Sequence, residues 1–173
     1  MPVLLARIDD RLIHGQVVVG WATDLKADHI AVISDEVAAN DMQKFLFRMA
    51  TPTEIELSIL GIQEGAGRIS KREFDDSRVI VLFRTPEDAL RTAEQGGRLG
   101  EINIGGMHFS KSKTGLFDAV FADVNDVEML LKLYEMGTDL EVRMVPTDQK
   151  KNPLKAIEEK FGMKPGPRKD RGK

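Results

Sequence analysis

The residues best suited to chemistry fall in one short run near the start of the chain, Asp9-Asp10-Arg11-Leu12-Ile13-His14-Gly15-Gln16. An imidazole can be neutral and nucleophilic near pH 7, which makes His14 a candidate acceptor for an electrophilic group. Arg11 supplies a guanidinium whose planar fork of donors suits phosphate oxygens. Gly15 allows the backbone to approach an anion closely. The first N–H groups of a helix opening at Gln16 would face the same ligand, helped by the helix dipole. A nucleophile, a fixed cation and an amide cradle are what a phosphohistidine site requires, because phosphoryl transfer depends mainly on positioning and charge stabilisation. The carboxylates of Asp9 and Asp10 stand ready to hold the imidazole or Arg11. The loop has neither G-x-x-x-x-G-K-S/T nor G-x-G-x-x-G, which counts against an ATP or dinucleotide site. On residue types alone, a histidine beside Arg and Gly in a loop is more often structural or solvent-exposed.

The elements that must position this run follow from periodicity. Apolar stretches of strand length occur at 3–8, 29–34, 55–60, 78–83, 101–106, 118–122 and 139–145. Amphipathic segments separate most of them: Gln16 to Leu25, Asp41 to Ala50, a glycine-interrupted stretch near 61–71, the helix begun by Thr85-Pro86-Glu87-Asp88, and Asp123 to Met136. Asn40 and Thr85 suit helix N-caps, and Pro86 suits a first helical turn. Strand–helix alternation of this kind predicts an α/β fold, an open doubly wound and mainly parallel sheet of about seven strands with helices on both faces. Ligands in such sheets sit beyond the carboxyl ends of the strands, which selects the loops at 9–15, 34–40, 84–86 and 105–110.

Those loops add further candidates, each with two readings. Arg84 and Thr85 follow a central strand and either reach a phosphoryl group bound at His14 or, for Thr85, simply cap the next helix. Gly105 and Gly106 end a strand and serve either a tight turn at the site or packing. His108 is either a second base or a hydrogen-bonded loop residue, and His29 reads as structural. Trp21 reads as packing, with contact to a partner protein as the alternative. Phe45, Phe47 and Met49 read as core or near-core.

Composition bounds the remaining choices. Hydrophobic residues at 42% and charged residues at 31% describe a globular chain with a real core. There is no cysteine, so thiolate metal sites and disulfides are excluded. No apolar run is long enough to span a bilayer, and the start, MPVLLARIDD, does not read as a signal peptide, so a cytoplasmic location is expected. Residues 150–173 hold nine Lys or Arg against three Asp or Glu, leaving an acidic body that is ill suited to nucleic acid. The division expected is a domain over 1–148 and a basic extension over 149–173, a helix followed by a partly disordered tail. That tail reads as solvated, with docking to a membrane-bound partner as the alternative.

The run R-I-D-D-R-L-I-H-G-Q-V, residues 7–17, resembles the active-site segment of the IIB component of the mannose/fructose/sorbose family of the bacterial phosphotransferase system. The resemblance continues in order through DEVAANDMQKFLFRMATP (35–52), LFRTPEDAL (82–90), INIGGMHF (102–109) and VPTD (145–148), covering about residues 2–148. It implies a protein-Nπ-phosphohistidine–sugar phosphotransferase subunit. A phosphorylated IIA protein donates to His14, which passes the phosphoryl group to a sugar entering through membrane IIC and IID components. No IIA segment is evident in the chain, so a separate donor is expected, with peripheral association at an inner-membrane permease. By motif match His14 is the phosphohistidine, modified on Nδ1, and Arg11 binds phosphate; the resemblance implies no metal or organic cofactor, because the phosphoryl group arrives on a protein. Asp10 matches a motif acid, to which we assign an orienting role from its position. Gly15 and Gln16, with Arg84, Thr85 and Gly106 as further candidates, complete the phosphate-binding set. A regulatory phosphohistidine protein with the same chemistry and no sugar transport is the alternative.

Overall fold

The computed structural model describes residues 3–169. Its centre is a six-stranded, wholly parallel sheet: β1 (Val3–Asp9), β2 (His29–Ile33), β3 (Glu56–Leu60), β4 (Val79–Phe83), β5 (Glu101–Gly106) and the last strand, Asp139–Val142. Between β5 and that last strand, β6 (Thr114–Phe117) and β7 (Val120–Ala122) form a separate antiparallel hairpin, which makes the last strand β8. The order across the main sheet is β3-β2-β4-β1-β5-β8. The apolar stretch at 118–122, expected as a strand of the main sheet, therefore belongs to the hairpin; only its last three residues are extended, and they turn back on 114–117.

Helices cover both faces, as doubly wound parallel strands require. One face carries α4 (Ile62–Ser70), α5 (Pro86–Glu94), α6 (Val124–Glu135) and α7 (Pro153–Phe161), whose Ala66, Leu90, Leu130 and Ile157 pack on Ile8, Val81 and Ile104. The other face carries a π-helical segment, Gln16–Ala22, then α1 (Thr23–Leu25), α2 (Asp35–Ala38) and α3 (Asp41–Ala50). There Leu12, Val17, Trp21 and Val37 close over Leu5, Val32 and Leu82. All five residues of β4 are buried, which explains its uninterrupted run of branched and aromatic side chains.

Capping follows the local sequence. Asn40 accepts from the Gln43 N–H at 3.0 Å, Thr85 from the Asp88 N–H at 3.1 Å, and Asp123 and Asp126 form a reciprocal capping box on α6. Beyond residue 148 the chain packs back on the body. Ile157 is fully buried, Arg168 pairs with Asp139 and lies over the Tyr134 ring, and the Lys169 N–H donates to the Glu135 carbonyl. Of the run expected to be partly disordered, KPGPRKDRGK, residues 164–169 are placed against the body, with Lys164 paired to Glu158 and the Gly166 N–H donating to Glu135, while residues 170–173 lie outside the described residues.

Helix α3 departs from expectation. Met42, Phe45, Leu46 and Met49 recur at helical spacing, but that stripe faces solvent: Phe45 is 56% exposed and Met49 71%, while Phe47 is half-buried against the sheet. The helix lies on the sheet through the opposite side, so an apolar period identified the helix without identifying which face is covered.

From β1 the chain travels toward β2 and one edge of the sheet; from β5 it travels toward β8 and the other edge. The connections thus diverge between the carboxyl ends of β1 and β5, which is where such folds open a crevice.

His29, on β2, is buried, bonded to the Ser58 hydroxyl at 2.8 Å and edge-on to Phe74. Burial pushes its imidazole below the ordinary histidine value. A group whose folded-state pKa is depressed contributes stability that is fully present above its unfolded value and drains as pH falls below it. Urea unfolding should therefore show stability declining below about pH 6.5, and His29→Gln should flatten that decline.

Candidate phosphohistidine site

The site begins with a row of polar side chains on the otherwise apolar sheet face shared with Trp21. In register across three strands, Arg7 of β1 pairs with Asn103 of β5, and Asn103 with Glu141 of β8. Arg7 has no exposed surface. It bonds the Asn103 amide oxygen at 2.5 Å, the carbonyls of Arg143 at 3.0 Å and Met144 at 3.2 Å, and Asp9 at 2.9 Å. The Trp21 ring is flanked by the Arg7 and Arg143 guanidiniums, 5.5 and 5.0 Å from its centroid, and its N–H donates to the Met144 carbonyl. Arg143 pairs with Glu141, which also accepts from Asn103.

Asp9 is the hub. One oxygen, Oδ2, accepts from Arg7 and meets His14 Nε2 at 3.0 Å. The other, Oδ1, accepts from the Arg11 N–H at 3.2 Å and Arg11 Nε at 3.3 Å. Burial by itself would raise the Asp9 carboxyl, but the His14 hydrogen bond and the Arg7 charge outweigh it and hold the carboxyl well below the usual carboxylate range. An ionised carboxylate only accepts, so Nε2 of His14 carries a proton, and in the neutral ring Nδ1 is then the nitrogen with the free lone pair.

Asp9 rather than Asp10 therefore holds His14. Asp10 turns the other way: its carboxylate accepts from the His108 N–H at 2.7 Å and pairs with the His108 ring, tying the loop after β5 to the loop after β1. The correction has a simple cause. Strand β1 runs through Asp9, whose side chain shares the face of Arg7, so Asp10 begins the turn and points off that face.

The loop itself is compact. The Leu12 N–H bonds the Asp9 carbonyl, Leu12 adopts a positive φ of 57°, and Leu12 and Ile13 are buried while His14 keeps a partly open side chain. Val17 and Val18 N–H groups return to the His14 carbonyl, whereas those of His14, Gly15 and Gln16 make no backbone hydrogen bond among the described residues. Arg11 Nη2 donates to Gln16 Oε1 at 3.0 Å. Nothing lies within 4 Å of where a Cβ on Gly15 would stand, so the space over this turn is open. The segment that follows is π-helical rather than α-helical, a geometry frequent at functional sites.

The remaining candidates are dispersed. Arg84 reaches Glu36 of α2 at 2.9 Å and Gln43 of α3 at 3.3 Å, and its Nε is buried without a partner. Thr85 caps α5. A Cβ on Gly106 would press against the Asp9 carboxylate at 3.1 Å, and one on Gly105 would overlap the Arg7 guanidinium, 1.8 Å from Cζ. Both glycines thus make room for the polar row. Arg7, Asn103 and Glu141 were not singled out from sequence. The available signal was a charged or amide residue inside each of three otherwise apolar strands.

The mainly parallel α/β architecture is shared with solved phosphotransferase IIB proteins. The IIB domain of the sorbose permease from Klebsiella pneumoniae superposes with a TM-score of 0.85 at 33% identity, covering 92% of this chain and 98% of that one. Residues 3–165 match the family described as "PTS system sorbose subfamily IIB component". The sorbose-specific EIIB component of Lacticaseibacillus casei is 35% identical over 162 residues, 94% of this chain and 99% of that protein. The mannose-specific EIIAB component of Escherichia coli K12 is 39% identical over 150 residues, and the chain spans 46% of its length. The chain belongs to the sorbose subfamily of IIB components of the sugar phosphotransferase system, and its role lies in phosphoryl transfer within that system.

The polar row is testable by a single methyl group. Gly105→Ala should displace Arg7, lower the melting temperature by several degrees and loosen His14. Proton–nitrogen NMR of the His14 ring checks the second effect, with the present structure expecting one tautomer in the wild type and an exchanging mixture in the variant.

Proposed function

We propose that His14 accepts a phosphoryl group on Nδ1 from the phosphohistidine of a IIA protein and delivers it to a sugar hydroxyl presented by membrane IIC and IID components. The observation that carries this reading is the 3.0 Å contact between His14 Nε2 and Asp9, which reserves Nδ1 as the nucleophile. In the first step the donor's N–P bond breaks as the Nδ1–P bond forms, and the Nε2 proton stays on its nitrogen, shared with Asp9. In the second step the sugar oxygen attacks phosphorus, Nδ1 leaves with its electron pair, and the hydroxyl proton passes to water.

Charge stabilisation comes from groups beside the nucleophile. The uncommitted N–H groups of His14, Gly15 and Gln16 and the open space over Gly15 suit the phosphoryl oxygens. Arg11 Nη1 has no hydrogen-bond partner among the described residues, and Nη2 is held by Gln16 and, at 3.5 Å, by Asp9, so the guanidinium is aimed yet still has donors to offer. Arg84, whose partners lie on α2 and α3, contributes by fixing those helices beside the site, Thr85 by capping α5, and Gly106 by leaving room for the Asp9 carboxylate. No described helix is long and apolar enough to cross a membrane, which suits a peripheral partner of a permease at the cytoplasmic face.

Incubation with phosphoenolpyruvate and the upstream phosphocarriers should place one acid-labile, base-stable phosphate on His14, located by mass spectrometry and absent from His14→Ala. Labelling that persists in that variant would exclude the assignment. Arg11→Ala should slow transfer by about a hundredfold, the cost typical of losing one preorganised donor to developing charge. Its melting temperature should barely change, because Arg11 is partly exposed; a large stability loss with an unchanged rate would contradict the phosphate-binding role.

A further inference from the structure

Seven large hydrophobic side chains are prominently exposed among the described residues, and six of them lie on segments that leave the carboxyl ends of β1, β2 and β5: Val19, Met42, Phe45, Leu46, Met49 and Phe109. That is the edge of the sheet that carries His14. Four of the six form the outward stripe of α3, a ten-residue helix with no buried residue of its own. Folding does not require this stripe, since α3 is seated through its other side by Phe47. Exposed apolar patches of this size mark interaction surfaces.

The stripe begins near the phosphoryl site. Ile8 of β1 pairs with Phe83 of β4, so Arg84 stands beside Asp9 at the neighbouring strand end. Arg84 in turn grips Gln43 in the first turn of α3 and Glu36 of α2. The start of α3 is thereby held one arginine side chain away from the strand end next to the one that orients His14. Val19 stands on the π-helical segment that follows His14, and Phe109 follows His108, which Asp10 ties to the active-site loop. Lys44, paired with Asp41, and Arg48 give the stripe a polar border.

We infer that the α3 stripe is the docking face for the phosphohistidine-bearing donor protein. The inference rests on the reading of His14 as acceptor and names the surface that brings the donor to it. Two proteins that exchange a phosphoryl group must align two imidazoles, and the His14 loop alone offers little of the roughly 1,200–2,000 Å² that a specific interface buries. An adjacent apolar helix supplies the missing area, with the polar border as its rim. Two of the four stripe residues are methionines, whose flexible side chains suit a surface that must bind and release during turnover.

The test uses the full chain with Phe45→Ser and Leu46→Asp, both at solvent-facing positions. Transfer from the phosphorylated donor should show KM for that donor raised about tenfold or more, the effect of removing central interface residues, with kcat nearly unchanged. Labelling of His14 by phosphoramidate, a small donor that needs no docking surface, should proceed at the wild-type rate. An unchanged KM overturns the inference. So does an unchanged KM accompanied by loss of a wild-type dimer in sedimentation, which would assign the stripe to a second copy, or by loss of binding to anionic lipid vesicles, which would assign it to a membrane surface. If neither donor labels His14 in the wild type, the acceptor reading itself fails, and the docking inference falls with it.

Discussion

A single buried carboxylate organises this molecule's chemistry. Asp9 sits at the end of a central strand with no exposed surface, and a charge in that position is costly unless it is paired and hydrogen-bonded. Arg7, equally buried, meets that requirement from two residues away, and His14 and Arg11 take up the remaining acceptor positions. The tautomer of His14 follows from this arrangement, as does the direction of Arg11. Arg7 must be neutralised and solvated in its own right, which accounts for Asn103, two backbone carbonyls and the Trp21 ring around it. Glycine at 105 follows too, because the guanidinium occupies the volume of any side chain there.

The sheet supplies the frame in which such a cluster can persist. Strand order places β1 between β4 and β5, with both neighbours buried and parallel, so the charged row is shielded along its length and opens only at the carboxyl edge. At that edge the polypeptide offers unpaired amides and an open space over Gly15 instead of another packed layer. A rigid interior thus carries a loop whose reactive ring is partly exposed and whose apolar residues, Leu12 and Ile13, are locked inward. Rigid support below and access above are what a group-transfer site needs. The apolar stripe of α3 on the same edge extends that logic from a site to a surface.

Much of this was legible in the residues. The strands expected at 3–8, 29–34, 55–60, 78–83 and 101–106, the caps at Asn40 and Thr85, and the location of the reactive loop at a strand end follow from local patterns, because buried parallel strands and helix termini impose their composition directly. Other features were not. The stretch at 118–122 has strand character, but whether it joins the sheet or folds on 114–117 depends on partners distant from it in sequence. The stripe on α3 has helical period, and period does not say which side faces protein. Asp9 and Asp10 are adjacent and identical in type, so only the last residue of β1 decided which of them turns inward.

The sequence by itself determined the class of fold, the run that carries the histidine and, through resemblance, the family. These depend on short-range periodicity and on a contiguous motif. Tertiary structure alone decided that Arg7, Asn103 and Glu141 line up across three strands, that Asp9 and not Asp10 orients His14, and that α3 turns its apolar side outward. Each of these depends on strand register and on which faces meet, and those are properties of contacts between residues far apart along the chain.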